Sequence, residues 1–423
     1  MKTTKTVSFY SLGCRANQYE IQAIREKFLQ NGYAEKPFGQ KTDFAVINSC
    51  AVTGESERKT RNIIARAAKT AGSVVVTGCY AELCRRKDII PENISFLGGS
   101  SQKNTLFERA VQGFGGGYTE KSGYEELSIG NTKSLCGERY RAYVKIQDGC
   151  NFNCAYCIIP KLRGRSFSRG EPDILGEIKR LAEKGVSEVI LTGIEVSDYG
   201  AANLCRLINK IDGIDGIRRI RIGSLNPNAL TDEFISCIGE SKKFCRHLHL
   251  SVQSGSGDVL KNMRRPYSAE KLQSAIDRLY EKIPDISLTA DIISGFPGET
   301  DEDHQKTLEF IKKNNFTHIH AFAFSKRPYT DAATFAGQVT PEIKKRRNRA
   351  VLELSSLNKE KAAAKLFGKK VEILAEKNRG GFVFGHTDGF MEAKVRAAGI
   401  KAGDYACFTA DGFDKTDSTL ILK

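Results

Sequence analysis

Short apolar, β-branched runs alternate with stretches of helical period along most of the chain. Before residue 113 the runs are TVSFYSLG, DFAVINS and SVVVTG. Between the first two, Tyr19–Asn31 carries Ile21, Ile24, Phe28 and Leu29 at spacings that share one face of a helix. Glu57–Lys69 is also helical, and basic. Strands separated by helices predict a parallel sheet. Residues 113–135 then hold six glycines and few large apolar groups, the composition of a linker. We assign 1–115 to an N-terminal open α/β domain and 116–135 to the linker.

From 136 to 365 the alternation repeats six times. The strand candidates are RAYVKIQ, SEVILTG, IRRIRIGSL, HLHLSVQ, ISLTADIISG and HIHAFAFS. Six parallel strands with intervening helices predict a partial barrel of the TIM kind, whose chemistry sits at the carboxyl ends of the strands. Residues 366–423 change period. KKVEILAEK, GFVFGHTDG, FMEAKVRA and DYACFTADGF are short runs separated by glycine turns, which predicts a small β domain.

Composition narrows the partners. The formal charge is +15 over 423 residues, which favours a polyanion, nucleic acid ahead of a membrane surface. No apolar run approaches the ~18 residues of a membrane helix. The first residues enter a strand without a secretory apolar core, so a cytoplasmic location is expected. Charge is unevenly spread. Lys and Arg exceed Asp and Glu by seven over residues 1–115 (17 against 10) and by seven over 116–365 (39 against 32). Over 366–423 the excess is one (9 against 8), so RNA binding there has to rest on shape and on Phe382, Phe384 and Phe390. The basic clusters lie elsewhere: Arg58, Lys59 and Arg61; Lys161, Arg163, Arg165 and Arg169; and the KKRRNR helix at 344–349. Arg58, Lys59, Arg61, Arg163 and Arg165 are the expected phosphate contacts of a substrate RNA.

Twelve cysteines in a chain of this kind point to metal or catalysis rather than a disulfide framework. Cys150, Cys154 and Cys157 are spaced C-x3-C-x2-C, directly after the first barrel strand. Structural zinc takes four closed ligands, usually in two pairs, and no second pair lies nearby. A cubane iron–sulfur cluster held by three thiolates keeps one iron open to a chelating small molecule. Cys14, Cys50 and Cys79 end the three N-terminal strands, 36 and 29 residues apart, one strand–helix–strand repeat each. A parallel sheet brings all three to the edge where open α/β sheets bind ligands. Cys84, five residues after Cys79, is a minor alternative ligand. Cys136, Cys205, Cys237, Cys245 and Cys407 read as ordinary thiols.

C-x3-C-x2-C with an aromatic, Tyr156, before the last cysteine resembles the radical S-adenosylmethionine enzymes. With the three N-terminal cysteines and a β domain similar to the RNA-binding TRAM domain, the whole chain resembles the radical methylthiotransferases. LTGIEVSDYG, HLHLSVQSGSGDVLKNMRR and DIISGFPGETDEDH are further matching stretches. The resemblance implies two 4Fe-4S clusters, on Cys150/Cys154/Cys157 and on Cys14/Cys50/Cys79. It implies S-adenosylmethionine as both radical source and methyl donor, with the open iron of the first cluster as its seat. Tyr156, Gly193 and Glu195 are the implied cofactor contacts, tRNA the implied substrate, and a flavodoxin-type protein the implied electron donor. It leaves the sulfur source open.

GCRANQYE, Gly13–Glu20, is similar to the branch that acts on N6-threonylcarbamoyladenosine beside the anticodon, although Arg15 and Ala16 replace the Lys-Val more usual there. The same chemistry on isopentenyladenosine or on a ribosomal-protein aspartate stays open as an alternative. So does a non-enzymatic iron–sulfur RNA-binding or redox-sensing protein.

Overall fold

The computed structural model describes residues 4–111 and 140–423. The linker assigned to 116–135 and Cys136 lie outside them. Each predicted N-terminal run is a strand: β1 (Thr6–Ser11), β3 (Thr42–Ser49) and β4 (Ala71–Gly78). Two short edge strands, β2 (Ala34–Glu35) and β5 (Phe96–Gly98), complete a parallel sheet of order β2-β1-β3-β4-β5. Helix α1 (Arg15–Gln30) follows β1, α2 (Gly54–Ala68) follows β3 and α3 (Cys79–Arg86) follows β4. Thr53 and Ser56 close a capping box at the start of α2, while Glu55 and Glu57 oppose the positive end of its dipole. The strand order reverses between β1 and β3, and such a switch point opens a crevice at the carboxyl edge of a doubly wound sheet.

The core strands follow the sixfold pattern. They are β6 (Arg141–Lys145), β9 (Glu188–Thr192), β10 (Arg219–Ile222) with β11 (Ser224–Leu225), β12 (His247–Gln253), β13 (Ser287–Ser294) and β14 (His318–Ala323). The third predicted strand is split at Gly223. The result is two parallel sheets, β10-β9-β6 and β11-β12-β13-β14, rather than one continuous wall. Between β6 and β9 the chain makes a two-residue antiparallel pair, β7 (Gln147–Asp148) with β8 (Phe167–Ser168).

The C-terminal region is a closed five-stranded barrel of β15 (Lys370–Arg379), β16 (Phe382–Thr387), β17 (Glu392–Val395), β18 (Tyr405–Asp414) and β19 (Thr419–Leu422). Its last strand, absent from the predicted runs, closes the barrel by pairing parallel with β17 and antiparallel with β18. Closure leaves no free edge.

Packing groups the described residues into two compact units that do not follow chain order. One contains the N-terminal sheet and its helices with Gln147–Arg169 and Ser325–Ala333. The other contains the remaining core residues together with the C-terminal barrel. In the first unit Ile158 and Leu162 share a core with Ile47, Ala51, Tyr80 and Leu83. The C-x3-C-x2-C segment is thus packed against the N-terminal sheet.

Candidate iron–sulfur and substrate site

The three N-terminal cysteines stand where the sheet ends. Cys14 is the N-cap of α1 and Cys79 the first residue of α3, positions where unpaired N–H groups favour negative charge. Cys50 directly follows β3. The turn before Cys79 needs glycine. Gly78 has φ +92, and a Cβ there would meet Asn48 Oδ1 at 2.4 Å and the Ser49 carbonyl at 2.5 Å. Cys50 and Cys79 are buried, and Cys14 keeps an exposed edge. Desolvation within the packed strand ends holds the Cys79 thiol above its ordinary range, and the Arg163 guanidinium pulls it the other way. The Cys79 thiol also interacts electrostatically with those of Cys14 and Cys50. Cys84 does not join them. It is buried against the Tyr80 hydroxyl.

The C-x3-C-x2-C segment is a loop tied at its neck. Gln147 Nε2 donates to the Asp148 and Gly149 carbonyls (2.9 and 2.8 Å) and to Ser166 Oγ (2.9 Å). Gly149 has φ +70, and a Cβ there would lie 2.0 Å from the Arg165 carbonyl, so the two limbs can close only on glycine. Cys150 N donates to the Gly164 carbonyl at 3.2 Å and Cys157 N to the Cys154 carbonyl at 3.0 Å. Ala332 N reaches the Ala155 carbonyl at 2.8 Å, between the second and third cysteines. Cys154 is buried, and Cys150, Cys157 and Tyr156 are half-buried.

Arg163 joins the two cysteine segments. It ends the short helix Ile159–Arg163 inside the loop and is 1% exposed. Its Nη1 donates to Glu20 Oε1 and Asp148 Oδ1, both at 2.8 Å. Its Nη2 donates to Glu20 Oε2 at 3.1 Å and to Asn17 Oδ1. Glu20, fully buried, also takes Lys103 Nζ and Asn48 Nδ2 (3.2 Å). Asn17 Nδ2 in turn donates to the Leu12 and Ser49 carbonyls at 2.7 and 2.9 Å, which fixes the chain just before Cys14 and Cys50. Arg163 is therefore not a phosphate contact. Its guanidinium is committed to buried carboxylates and an amide, out of reach of RNA. Arg169, 4% exposed and bonded to Tyr19 Oη at 3.3 Å, is equally out of reach. Lys161 and Arg165 are exposed. Arg58, Lys59 and Arg61 are exposed on α2, where Arg58 and Lys59 share Glu55 and Arg61 pairs with Glu57 at 2.7 Å. Surface pairs of this kind are worth ~0–1 kcal/mol and exchange readily for a phosphate.

Among the described residues no three His, Cys, Asp or Glu side chains are placed to hold a metal ion. A single ion needs its donors at ~2.0–2.3 Å from one centre. A cubane cluster instead spreads its thiolates over separate irons, so its ligands need not converge on one centre. Two cysteines at helix N-termini and a buried cation suit an anionic cluster. The Arg163 guanidinium stands against the Cys79 thiol, and its buried Nε has no hydrogen-bond partner among the described residues. The residues fit the group.

In the other unit Gly193 follows β9. Glu195 is 8% exposed, and its Oε1 caps the turn at Ser197 N (3.3 Å). Desolvation raises its pKa, and its burial sets it apart from a solvated turn residue. A polar face that the sequence reading left largely unassigned lies on β12–β14. His249 Nδ1 meets Thr289 Oγ1 at 2.8 Å and its Nε2 meets Asp291 Oδ2 at 3.2 Å. The His318 and His320 rings stand 4.7 Å apart, and desolvation with its cationic neighbours holds His318 down to about 4. Strand alternation puts these groups on one face, a signal present in HLHLSVQ, SLTADIIS and HIHAFA once the strands are paired in register.

Along β10, beside β9 and the start of β12, the C-terminal barrel is bolted to the core. Arg221, 1% exposed, donates to Glu188 Oε1 (3.0 Å) and to the Thr387 and Asp388 carbonyls (2.9 and 2.7 Å). Arg219 reaches the His386 and Glu372 carbonyls at 3.2 and 3.0 Å. Phe390 lies between the rings of His247 and His386, at 5.0 and 4.8 Å, with Arg221 over its face. Phe390 is thus an anchor in the core, whereas Phe382 and Phe384 sit under Arg396 and Lys377 on the barrel itself. In the KKRRNR helix, Arg346 and Arg347 pair with Asp301 and Arg349 with Glu353.

Two family models match. The radical SAM superfamily covers residues 144–311, and "Uncharacterized protein family UPF0004" covers residues 6–95. The chain is 34% identical over 407 residues to the threonylcarbamoyladenosine tRNA methylthiotransferase MtaB of Bacillus subtilis, covering 92% of this chain and 89% of that protein. It is 35% identical over 402 residues to MtaB of Chlamydia pneumoniae, covering 94% and 93%. It is 33% identical over 418 residues to the tRNA-2-methylthio-N(6)-dimethylallyladenosine synthase of Thermodesulfovibrio yellowstonii, covering 95% and 94%. The radical S-adenosylmethionine methyltransferase TsrM of Kitasatospora setae shares the fold, with a TM-score of 0.57 at 14% identity over 78% of this chain and 74% of that one. Two cysteine triads in one packed unit and relatives that span nine-tenths of the chain lead to one conclusion: the chain belongs to the radical S-adenosylmethionine methylthiotransferase family, enzymes that use S-adenosylmethionine and 4Fe-4S clusters.

Proposed function

We propose that the chain converts N6-threonylcarbamoyladenosine beside the tRNA anticodon to its 2-methylthio derivative. The observation that carries this reading is the position of Arg163, between the two cysteine segments and bonded to residues of both. A reaction that must activate a C–H bond and deliver sulfur to the same carbon needs its two centres held by one rigid element. The relatives named for threonylcarbamoyladenosine support the substrate.

Cys150, Cys154 and Cys157 would hold one cluster, and Cys14, Cys50 and Cys79 the other. When bound, the clusters and S-adenosylmethionine supply one-electron chemistry, sulfur and the methyl group. The chain's own residues bind, orient and exclude water. Arg163 and Lys103 hold Glu20 and Asp148 charged in a buried place and keep the two cysteine segments in register. Tyr156 in the one unit, and Glu195 with the backbone at Gly193 in the other, are the cofactor contacts that the family resemblance implies. No side chain acts as base at the adenine carbon, whose hydrogen is far too weakly acidic for any of them. Arg58, Lys59, Arg61 and Arg165 take RNA phosphates, and Phe382 and Phe384 of the barrel offer stacking faces. A flavodoxin-type protein is the electron donor in this scheme, and the cytoplasm its place. Among the described residues no helix is long and apolar enough to cross a membrane.

Mass spectrometry of tRNA nucleosides from a deletion strain, with and without the gene restored, tests the reading. The 2-methylthio form of threonylcarbamoyladenosine should vanish and return. Loss from isopentenyladenosine instead moves the chain to the other tRNA branch, and loss from a ribosomal-protein aspartate removes tRNA as substrate. A cluster whose EPR spectrum ignores S-adenosylmethionine would leave only a non-enzymatic iron–sulfur protein.

A further inference from the structure

The segment after β14, Ser325–Ala333, is pinned to the first unit at three points. Ser325 Oγ accepts from Gly54 N at 3.0 Å, at the start of α2. Arg327, 5% exposed, bonds Glu57 Oε2 through Nη2 at 2.6 Å. Ala332 N donates to Ala155, inside the C-x3-C-x2-C loop. Between the second and third pins the chain turns at Pro328–Tyr329, and Thr330 Oγ1 closes the turn on the Arg327 carbonyl at 2.8 Å. Tyr329 has φ +64. The second central position of a turn led by proline is where glycine belongs when φ is positive, and a bulky residue there is strained.

The ring gains little from burial in return. Tyr329 is 51% exposed, and its hydroxyl makes one long bond, 3.3 Å, to the Arg86 carbonyl. A strained, exposed aromatic on a rigidly pinned turn is a poor structural element and a good ligand platform. Charged side chains of both signs surround it, with Asp88 and Asp331 among the acids. Arg86, Lys87, Arg61 and Lys326 are exposed nearby, with Glu57 and Glu82 as their acidic partners.

We propose that Tyr329 is a nucleobase-stacking platform beside the cysteine loop, which receives a base of a single-stranded RNA loop whose phosphates run over Arg61, Arg86 and Lys87. The proposal rests on the RNA-substrate reading above. An adenine in an anticodon loop must leave its stack before its ring carbon can be reached, and aromatic faces hold such splayed bases without reading their sequence.

The test uses the full, cluster-reconstituted chain and an anticodon stem–loop carrying 2-aminopurine next to the target adenosine. Affinity, 2-aminopurine quenching and melting temperature are read for the wild type, Tyr329→Phe and Tyr329→Gly. Phe should bind within about twofold of the wild type and keep the quenching. Gly should bind roughly tenfold more weakly, near the low end of what one stacked base contributes. Gly should also lose quenching while melting no lower than the wild type, because it relieves the backbone. A lower melting temperature for Gly makes the ring a structural prop and overturns the proposal. Equal binding by wild type and Gly overturns it and leaves the RNA reading standing. A wild type that does not bind the stem–loop overturns both.

Discussion

Arg163 and Arg221 are each 1% exposed, and they do opposite things. Arg221 donates to one carboxylate and to two backbone carbonyls of a turn in the C-terminal barrel. Backbone carbonyls do not titrate and do not leave, so this contact is a permanent bolt. Arg163 faces side chains instead, Glu20, Asp148 and Asn17, with thiols beside it and one N–H left over. Lys103 also reaches Glu20, so two cationic side chains meet Glu20 and Asp148 there.

The largest effect that could break this comparison is at Arg163. Arg163→Leu leaves two buried carboxylates short of a partner, which costs about 3–5 kcal/mol. Because both cysteine segments hang on it, iron after anaerobic reconstitution should fall from about eight per chain toward none. Thermal unfolding and iron analysis check both. Replacing Cys150, Cys154 and Cys157 together by alanine should remove only half the iron, and a full complement in that variant would undo the cluster assignment.

At Arg221 the loss should be smaller and confined to stability. Glu188 keeps Arg141 and Arg219, so Arg221→Leu should cost about 2–3 kcal/mol, seen as a lower urea midpoint with the iron retained. Deleting residues 366–423 is harsher, because it strips acceptors from Arg219 and Arg221 at once. The barrel's position at the end of the chain predicts a clean truncation, and the bolted turn predicts a destabilised core. Urea unfolding and limited proteolysis of the truncated chain distinguish the two.

Salt dependence gives a finer distinction. Arg61→Ala and Arg165→Ala should each lower the slope of log K against log salt by about one, since both are exposed. Conservative Arg163→Lys should leave that slope unchanged while lowering cluster content. The smallest effect concerns pH, because His318 is an exposed side chain and solvent screens most of its shift. His318, held at about 4, binds its proton more readily when unfolded. It therefore contributes stability above pH ~6.5 that is lost as pH falls toward 4. His318→Gln should flatten the unfolding curve over that window only.

The sequence by itself determined a good deal. Period and β-branching placed β1, β3, β4 and all six core strands, because local hydrophobic pattern reports which face a segment buries. Cysteines at the ends of three parallel strands share an edge, so the common placement of Cys14, Cys50 and Cys79 was legible in the sequence. β19 was passed over because TLIL is too short to show a period, and its partners are set by barrel closure. Only the tertiary structure decided what each arginine is for. In sequence, Arg163 stands in a basic run with Arg165 and looks like its neighbour, yet one is buried and the other exposed. Arg163 meets Glu20 across 143 residues, and Arg221 meets Thr387 across 166. Charge in a sequence is local and unsigned by environment. Whether it lies in water or in a carboxylate's grip depends on which distant segments fold over it, and no period or composition encodes that.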